Sequence, residues 1–235
     1  MRVYSRLLLI LVLTLVFVSH SFGQETLWKE LNVEMADLYR QGKYQEAVEV
    51  AERAVEVADK TFGPDHLRMA ISLNNLATLY RLQGRYSEGE SLYKRSLDIK
   101  ERALGSNHPE VATALNNLAG LYRAQSDYKK AEPLYERALS IREQTLPPRH
   151  PDLGQSLNNL ALVYKMEGKY EQAELLYKKA LMVWEEALGP NDPNVATVLE
   201  NMAELYREIG KYDMGAKLDS RARKIRQGLG QRSKL

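Results

Sequence analysis

Apolar residues return along this chain at helical intervals. Leu73, Leu76, Ala77 and Tyr80 stand at i, i+3, i+4 and i+7, one stripe on one helix. Gly84 follows, where a left-handed residue would end that helix. A second stripe, Tyr86, Gly89, Tyr93 and Leu97, predicts another helix continuing to about Leu104. The segment "GSNHP" then closes the pair, with Pro109 suited to the first turn of the next helix.

This pattern is written several times. "LNNLATLYRLQGRY" at 73–86 returns 42 residues on as "LNNLAGLYRAQSDY", and after 42 more as "LNNLALVYKMEGKY". Gly42, Gly84, Gly168 and Gly210 fall in register, with Ser126 in the same slot of the third copy. Tyr44, Tyr86, Tyr128, Tyr170 and Tyr212 stand two residues beyond. Upstream come Tyr39, Tyr80, Tyr122, Tyr164 and Tyr206, the first of them one residue out of step. The period predicts five copies of a helix–turn–helix unit, starting near residues 31, 73, 115, 157 and 199. Such a unit cannot bury its apolar faces alone, so the copies must stack. In the last copy Asp219 and Arg223 replace the Tyr177 and Leu181 of the copy before it, a polar outer face that stops the stacking. Gly89 and Gly215 stand where other copies carry a small Ala, which predicts slightly looser helices. Pro133 removes one backbone hydrogen bond inside a second helix and predicts a bend.

These residues resemble the tetratricopeptide repeat. Leu118-Ala119, Tyr122, Tyr128, Ala131 and Tyr135 match its pattern, as do Leu160-Ala161, Tyr164, Gly168, Tyr170, Ala173 and Tyr177. The 42-residue unit, longer than the usual 34, is similar to the kinesin light chain subtype. The resemblance covers about residues 28–227 and implies an all-α, right-handed superhelical solenoid of five repeats, extending over 24–227 and followed by a basic flexible tail at 228–235. It also implies protein binding, with the first helix of each repeat lining a concave groove.

The start of the chain reads differently. Arg2 and Arg6 precede an unbroken apolar run from Leu7 to Val18, followed by Ser21-Phe22-Gly23, a small-x-small cleavage pattern. The run falls short of the ~20 residues that span a bilayer. Residues 1–23 are therefore expected to be a cleaved signal peptide, leaving no membrane span and a periplasmic or extracellular protein; an uncleaved anchor is the rival reading. Removing Arg2 and Arg6 leaves 31 basic against 31 acidic residues, so bulk charge offers nothing for nucleic acid to bind. The chain has no cysteine, which excludes disulfides, lipidated cysteine anchors and thiolate chemistry. Export also argues against a cytosolic cargo role of the kinesin light chain kind. The terminal Ser233-Lys234-Leu235 matches a peroxisomal address, which an export signal would pre-empt.

No cofactor is expected. His66, His108 and His150 recur every 42 residues, which spaces them at ~10 Å or more along stacked repeats. Zinc needs ligands at ~2 Å, so the histidines, with Asp192 in the next copy, are expected to cap helices. The acids Glu46, Glu49, Glu52 and Glu56 form a solvated face, and Trp28 and Trp184 are packing residues. Nothing assembles a nucleophile with a base, so the chain is not expected to be an enzyme. Binding residues are sought on the first helices. Directly after each first-helix tyrosine stand Arg40, Arg81, Arg123, Lys165 and Arg207, all basic. Seven residues before the middle three are Asn74, Asn116 and Asn158, on the same stripe as the cations. If these eight line the groove, they suit an extended peptide with acidic side chains. Cations in the last helical turn also complement the macrodipole, a structural reason for the same residues. Asn75, Asn117, Asn159 and Asn201 are expected to join neighbouring repeats. The alternative function is a structural module that associates through its convex face or ends. The partner's identity and the oligomeric state stay open.

Cleavage is expected between Gly23 and Gln24, so intact-mass analysis of protein from its native host should find a chain beginning at Gln24. A chain retaining residues 1–23 would establish the anchor instead.

Overall fold

The computed structural model describes residues 23–232; the expected signal peptide up to Phe22 and the final Ser233-Lys234-Leu235 lie outside them. Ten helices occur among the described residues: α1 over residues 23–40, then α2 (Tyr44–Phe62), α3 (Leu67–Leu82), α4 (Tyr86–Leu104), α5 (Pro109–Ala124), α6 (Tyr128–Thr145), α7 (Pro151–Met166), α8 (Tyr170–Leu188), α9 (Pro193–Glu208) and α10 (Tyr212–Arg232). The architecture is an all-α repeat solenoid of helix–turn–helix units, as the period predicts. It divides into two compact units, one ending at Ala103 and one beginning at Leu104.

Local chemistry sets the element boundaries. His66, His108 and His150 each accept, through Nδ1, the backbone N–H two residues on, and Asp192 does the same through its carboxylate. These are helix N-caps, the role the sequence assigns them. The turn within each pair needs a left-handed residue. Gly84 supplies it at φ 75°, and Ser126 adopts φ 58° in the equivalent slot. Hydrogen bonds from Arg85 N–H to Tyr80 O and from Asp127 N–H to Tyr122 O close the two turns alike.

In the first unit Trp28, Leu31, Val50, Ala54, Met69, Leu73 and Ile99 form one core. Trp28 donates its indole N–H to Ser72 Oγ at 2.8 Å. Ala47, Val48, Ala51, Leu76, Leu79 and Tyr80 form a second cluster, so both faces of α3 are covered.

In the second unit the pairs α5–α6, α7–α8 and α9–α10 pack most extensively, and α6–α7 and α8–α9 join them. Tyr135 and Tyr177 are buried, as are Ala131 and Ala138 on α6 and Ala173 and Ala180 on α8. Arg142 is only 2% exposed. Its guanidinium is held by Asp152 O, Ser156 Oγ, Gln155 Oε1 and Thr113 Oγ1, so a buried cation is satisfied by four acceptors. The slot that holds Arg142 holds Lys100 one copy earlier and Trp184 one copy later. Trp184 is buried too, its N–H donated to Pro151 O at 3.0 Å, a packing residue as expected.

Two details differ from expectation, at Gly215 and at the end of α10. Gly215 marks a close approach: a Cβ there would lie 3.0 Å from Ala203 O, so the missing methyl lets α10 settle onto α9. Pro133 is the sixth residue of α6, inside a second helix as the sequence places it. Residues 228–232, expected in a flexible tail, extend α10 to Arg232.

Gly154 explains how one slot accepts an indole. A Cβ built there would lie 2.6 Å from Trp184 Nε1, whereas Ala70, Ala112 and Ala196 fill that slot beside the slimmer Lys100, Arg142 and Arg226. Gly154→Ala should therefore destabilise the fold by about 1–3 kcal/mol through overpacking. Urea unfolding checks this, and Trp184→Arg on the Gly154→Ala background should recover part of the loss.

Candidate functional site

The first helices end in a cation in every copy, but their surroundings differ. In the first unit Arg40 is exposed and paired with Asp37 on its own helix. Arg81, half-buried at the end of α3, makes no ion pair among the described residues. Asn74 lies half-buried on the same helix, and its neighbour Asn75 donates to Asn32 Oδ1 at 3.0 Å.

In the second unit the candidates separate into two roles. Asn116 and Asn158 are buried, and their side-chain oxygens accept from Asn159 and Asn201 at 3.0 and 2.9 Å. They act as one half of an amide ladder joining α5 to α7 and α7 to α9, in place of the open groove positions expected of them. Two Asn side chains at adjacent positions meet across the helix interface because the repeat offsets them by 43 residues. Asn159 and Asn201 are inter-repeat contacts, the role the sequence suggests for them.

The cations differ as well. Lys165 is 4% exposed, with Nζ 2.7 Å from Glu204 and 3.4 Å from Glu208 on the next first helix. Burial without these acids would be costly; with them the ammonium is neutralised and no longer offers a free positive rung. Arg207 is exposed and pairs with Asp219. Arg123 is half-buried, and its Nε is enclosed without a hydrogen-bond acceptor.

Near Arg123 lies a group that sequence reasoning passed over. Tyr177 is 0% exposed, and its hydroxyl has no hydrogen-bond partner. Burial raises its pKa above the usual phenol value, Glu204 and Glu208 raise it further, and Arg123 opposes them. Arg123, Lys165, Tyr177, Glu204 and Glu208, from four helices, thus converge. Two copies earlier, in the chain's first unit, Tyr93 bonds Thr78 at 2.8 Å. Leu162 replaces that threonine beside Tyr177, which is why the second hydroxyl is left over. The signal was legible as departures from the repeat: Glu204 and Glu208 stand where earlier copies carry Thr78, Gly120, Leu162 and Leu82, Ala124, Met166.

A second recurrent feature also went unforeseen. Arg85 lies over the Tyr80 ring at 3.8 Å, and Lys130, Lys169 and Lys211 lie over Tyr122, Tyr164 and Tyr206 at 5.2, 5.1 and 5.7 Å. These cations shield the edge of the stack rather than reach for a ligand. No cluster of three metal-ligating side chains exists among the described residues.

An all-α array of helical hairpins with polar first-helix faces is a repeat scaffold of the kind that mediates protein–protein contact. The chain belongs to the tetratricopeptide repeat family, whose model matches residues 30–101, 68–144, 121–182 and 152–228. Among solved structures it is similar to kinesin light chain TPR-like repeats from Podosopora anserina, with 25% identity, a TM-score of 0.70, and coverage of 86% of this chain and 95% of that one. It is also similar in fold to BtubC (BKLC) from P. vanneervenii, with 22% identity, a TM-score of 0.72, and coverage of 86% and 80%. No curated protein sequence matches it. This fold typically serves as a non-enzymatic scaffold. No described helix is long and apolar enough to cross a membrane.

Tyr93 and Tyr177 yield opposite expectations on losing their hydroxyls. Tyr93→Phe should cost about 0.5–1.5 kcal/mol by breaking the bond to Thr78, while Tyr177→Phe in the free protein should cost nothing or stabilise it slightly. Paired urea titrations measure both.

Proposed function

We propose that this scaffold binds extended peptide segments of another protein on its first-helix faces, with acidic side chains drawn to Arg81 in the first unit or to Arg123 in the second. The observation that carries the reading is the pair of enclosed polar groups without partners, Arg123 Nε and the Tyr177 hydroxyl, set beside a neutralised Lys165. Buried donors without acceptors are costly, and a ligand carboxylate or carbonyl arriving at the face would relieve that cost. Arg40, Lys165 and Arg207 already have carboxylate partners, so the acidic preference rests on two arginines instead of five cations. Binding is correspondingly modest, since each exposed ion pair contributes ~0–1 kcal/mol. We also propose that the scaffold works outside the cytosol, on the strength of Arg2, Arg6 and the apolar run Leu7–Val18.

The test compares wild type with Arg81→Glu/Arg123→Glu for binding acidic, extended peptides. Affinity should fall about tenfold in the variant, and wild-type binding should weaken steeply as salt rises above ~0.1 M. Equal binding by both proteins, with the variant still helical by circular dichroism, would assign the two arginines to helix-end stabilisation and overturn the reading.

A further inference from the structure

Helix α8 carries an exposed apolar pair that its counterparts lack. Leu175 is 55% exposed and Met182 is 53% exposed, seven residues apart on one stripe. The slot of Leu175 holds Glu49, Ser91, Pro133 and Lys217 in the other copies, and that of Met182 holds Glu56, Asp98, Ser140 and Lys224. The repeat framework therefore does not need apolar residues here, since four copies do without them. An exposed apolar side chain is ordinary; two at helix spacing in the one copy that departs from the repeat is a surface feature.

The surroundings of the pair are charged. Lys178 and Lys179 lie between the two side chains on α8. Arg221 of α10 pairs with Glu185, which lies three residues beyond Met182, so the outer stripe of α10 flanks this part of α8. Lys217 and Lys224 stand one turn to either side of Arg221. Lys178 is paired with Glu174, and Glu186 with Arg149. Lys179, Lys217 and Lys224 make no ion pair among the described residues, and the remaining exposed acids, Glu171 and Asp213, lie at the helix starts. The centre of the patch is thus two apolar side chains in a positive surround.

We propose that this patch docks an amphipathic helix of a partner protein, with two apolar side chains two turns apart and Asp or Glu flanking them. Residues seven apart on a helix rise ~10.5 Å, so a helix laid along α8 can match Leu175 and Met182 with one stripe of its own. Its acids would then meet Lys179, Lys217 and Lys224. A second copy of this chain does not fit: pairing α8 with itself opposes Lys178 and Lys179 to the same lysines. An anionic lipid surface fits less well, because Glu174, Glu185 and Glu186 interleave with the lysines on α8, a mixed pattern that another helix can answer and a uniformly negative surface cannot.

The test places a photo-reactive residue at Gln172, exposed and one turn before Leu175, in the full chain expressed in its native host. Cross-linking should yield a protein adduct, and mass spectrometry should locate the linked segment on an acidic amphipathic helix. Leu175→Ser/Met182→Ser, which installs a residue already tolerated in the equivalent slots at Ser91 and Ser140, should lower the adduct yield at least tenfold with the helical signal unchanged. Arg81→Glu/Arg123→Glu should leave it intact, which separates this surface from the first-helix face. The same probe at Glu49 should give no such adduct. Lipid adducts, adducts with a second copy, a linked segment that is neither acidic nor amphipathic, no adduct at all, or a yield indifferent to the two serines would each overturn the proposal.

Discussion

The tyrosine near the end of three first helices, α3, α7 and α9, joins its repeat to the one before, and much else follows from how it is held. Tyr80, Tyr164 and Tyr206 are buried at the ring and reach back to the second helix of the preceding repeat, where their hydroxyls donate to Glu52, Glu136 and Glu174 at 2.8, 2.9 and 3.0 Å. Each ring removes apolar area from water, for roughly 1.5–3 kcal/mol as for other large side chains. The hydrogen bond to a charged acceptor adds ~1.5–3 kcal/mol before the cost of ordering the glutamate. A cation then covers the exposed side of the ring, Arg85, Lys169 or Lys211 from the turn, and Lys130 where Asp127 occupies that turn position. One side chain so combines burial, direction and shielding. Because the hydroxyl has one acceptor within reach, the slide of one repeat against the next is restricted, and the helix faces keep their register.

Register is what makes the other contacts repeat. Asn75 meets Asn32, Asn159 meets Asn116 and Asn201 meets Asn158, each at the same offset of 43 residues. Buried amides in apolar surroundings are costly when unpaired, so the ladder penalises any shift. Against that regular frame, individual slots vary widely. A single slot on the second helices holds Ala58, Lys100, Arg142, Trp184 and Arg226. Each occupant is accommodated locally, Arg142 by four acceptors and Trp184 by the missing methyl of Gly154. The frame tolerates this because each repeat answers mainly to its neighbours.

Helix α8 shows where such variation gathers. On its inner side Tyr177 is buried with its hydroxyl unpartnered, close to Arg123, Glu204 and Glu208. On its outer side Leu175 and Met182 are exposed in slots that are polar or proline elsewhere. Neither feature is required by the repeat, since other copies fold without them. The charge on the two sides differs in kind: the inner cluster balances Arg123 and Lys165 against two glutamates, while the outer patch keeps three lysines without ion pairs. A protein with a formal net charge of only +2 can still present distinct local fields, because exposed charges act only over about a Debye length, ~10 Å at 0.1 M salt.

The helices, their caps, the left-handed turns at Gly84 and Ser126 and the number of repeats were all legible in the sequence. Each depends on residues within one or two turns of each other, and the period repeats the message. Legible too was the packing role of Trp28 and Trp184 and the inter-repeat role of Asn159 and Asn201. What tertiary structure decided was the fate of polar groups. Asn116 and Asn158 carry the right stripe for a groove, yet they are buried because a neighbouring repeat supplies their donors. Lys165 looks like Arg81 and Arg123 in sequence, yet only Lys165 faces two glutamates, 39 and 43 residues further along the chain. Gly215 reads as a weak helix position and acts as a point of close approach. A helix stripe reports which side chains share a face, through the fixed rotation of 3.6 residues per turn. Whether a charge or amide on that face remains available is settled by what the next repeat brings within hydrogen-bonding distance, and that depends on packing across repeats rather than on periodicity along one.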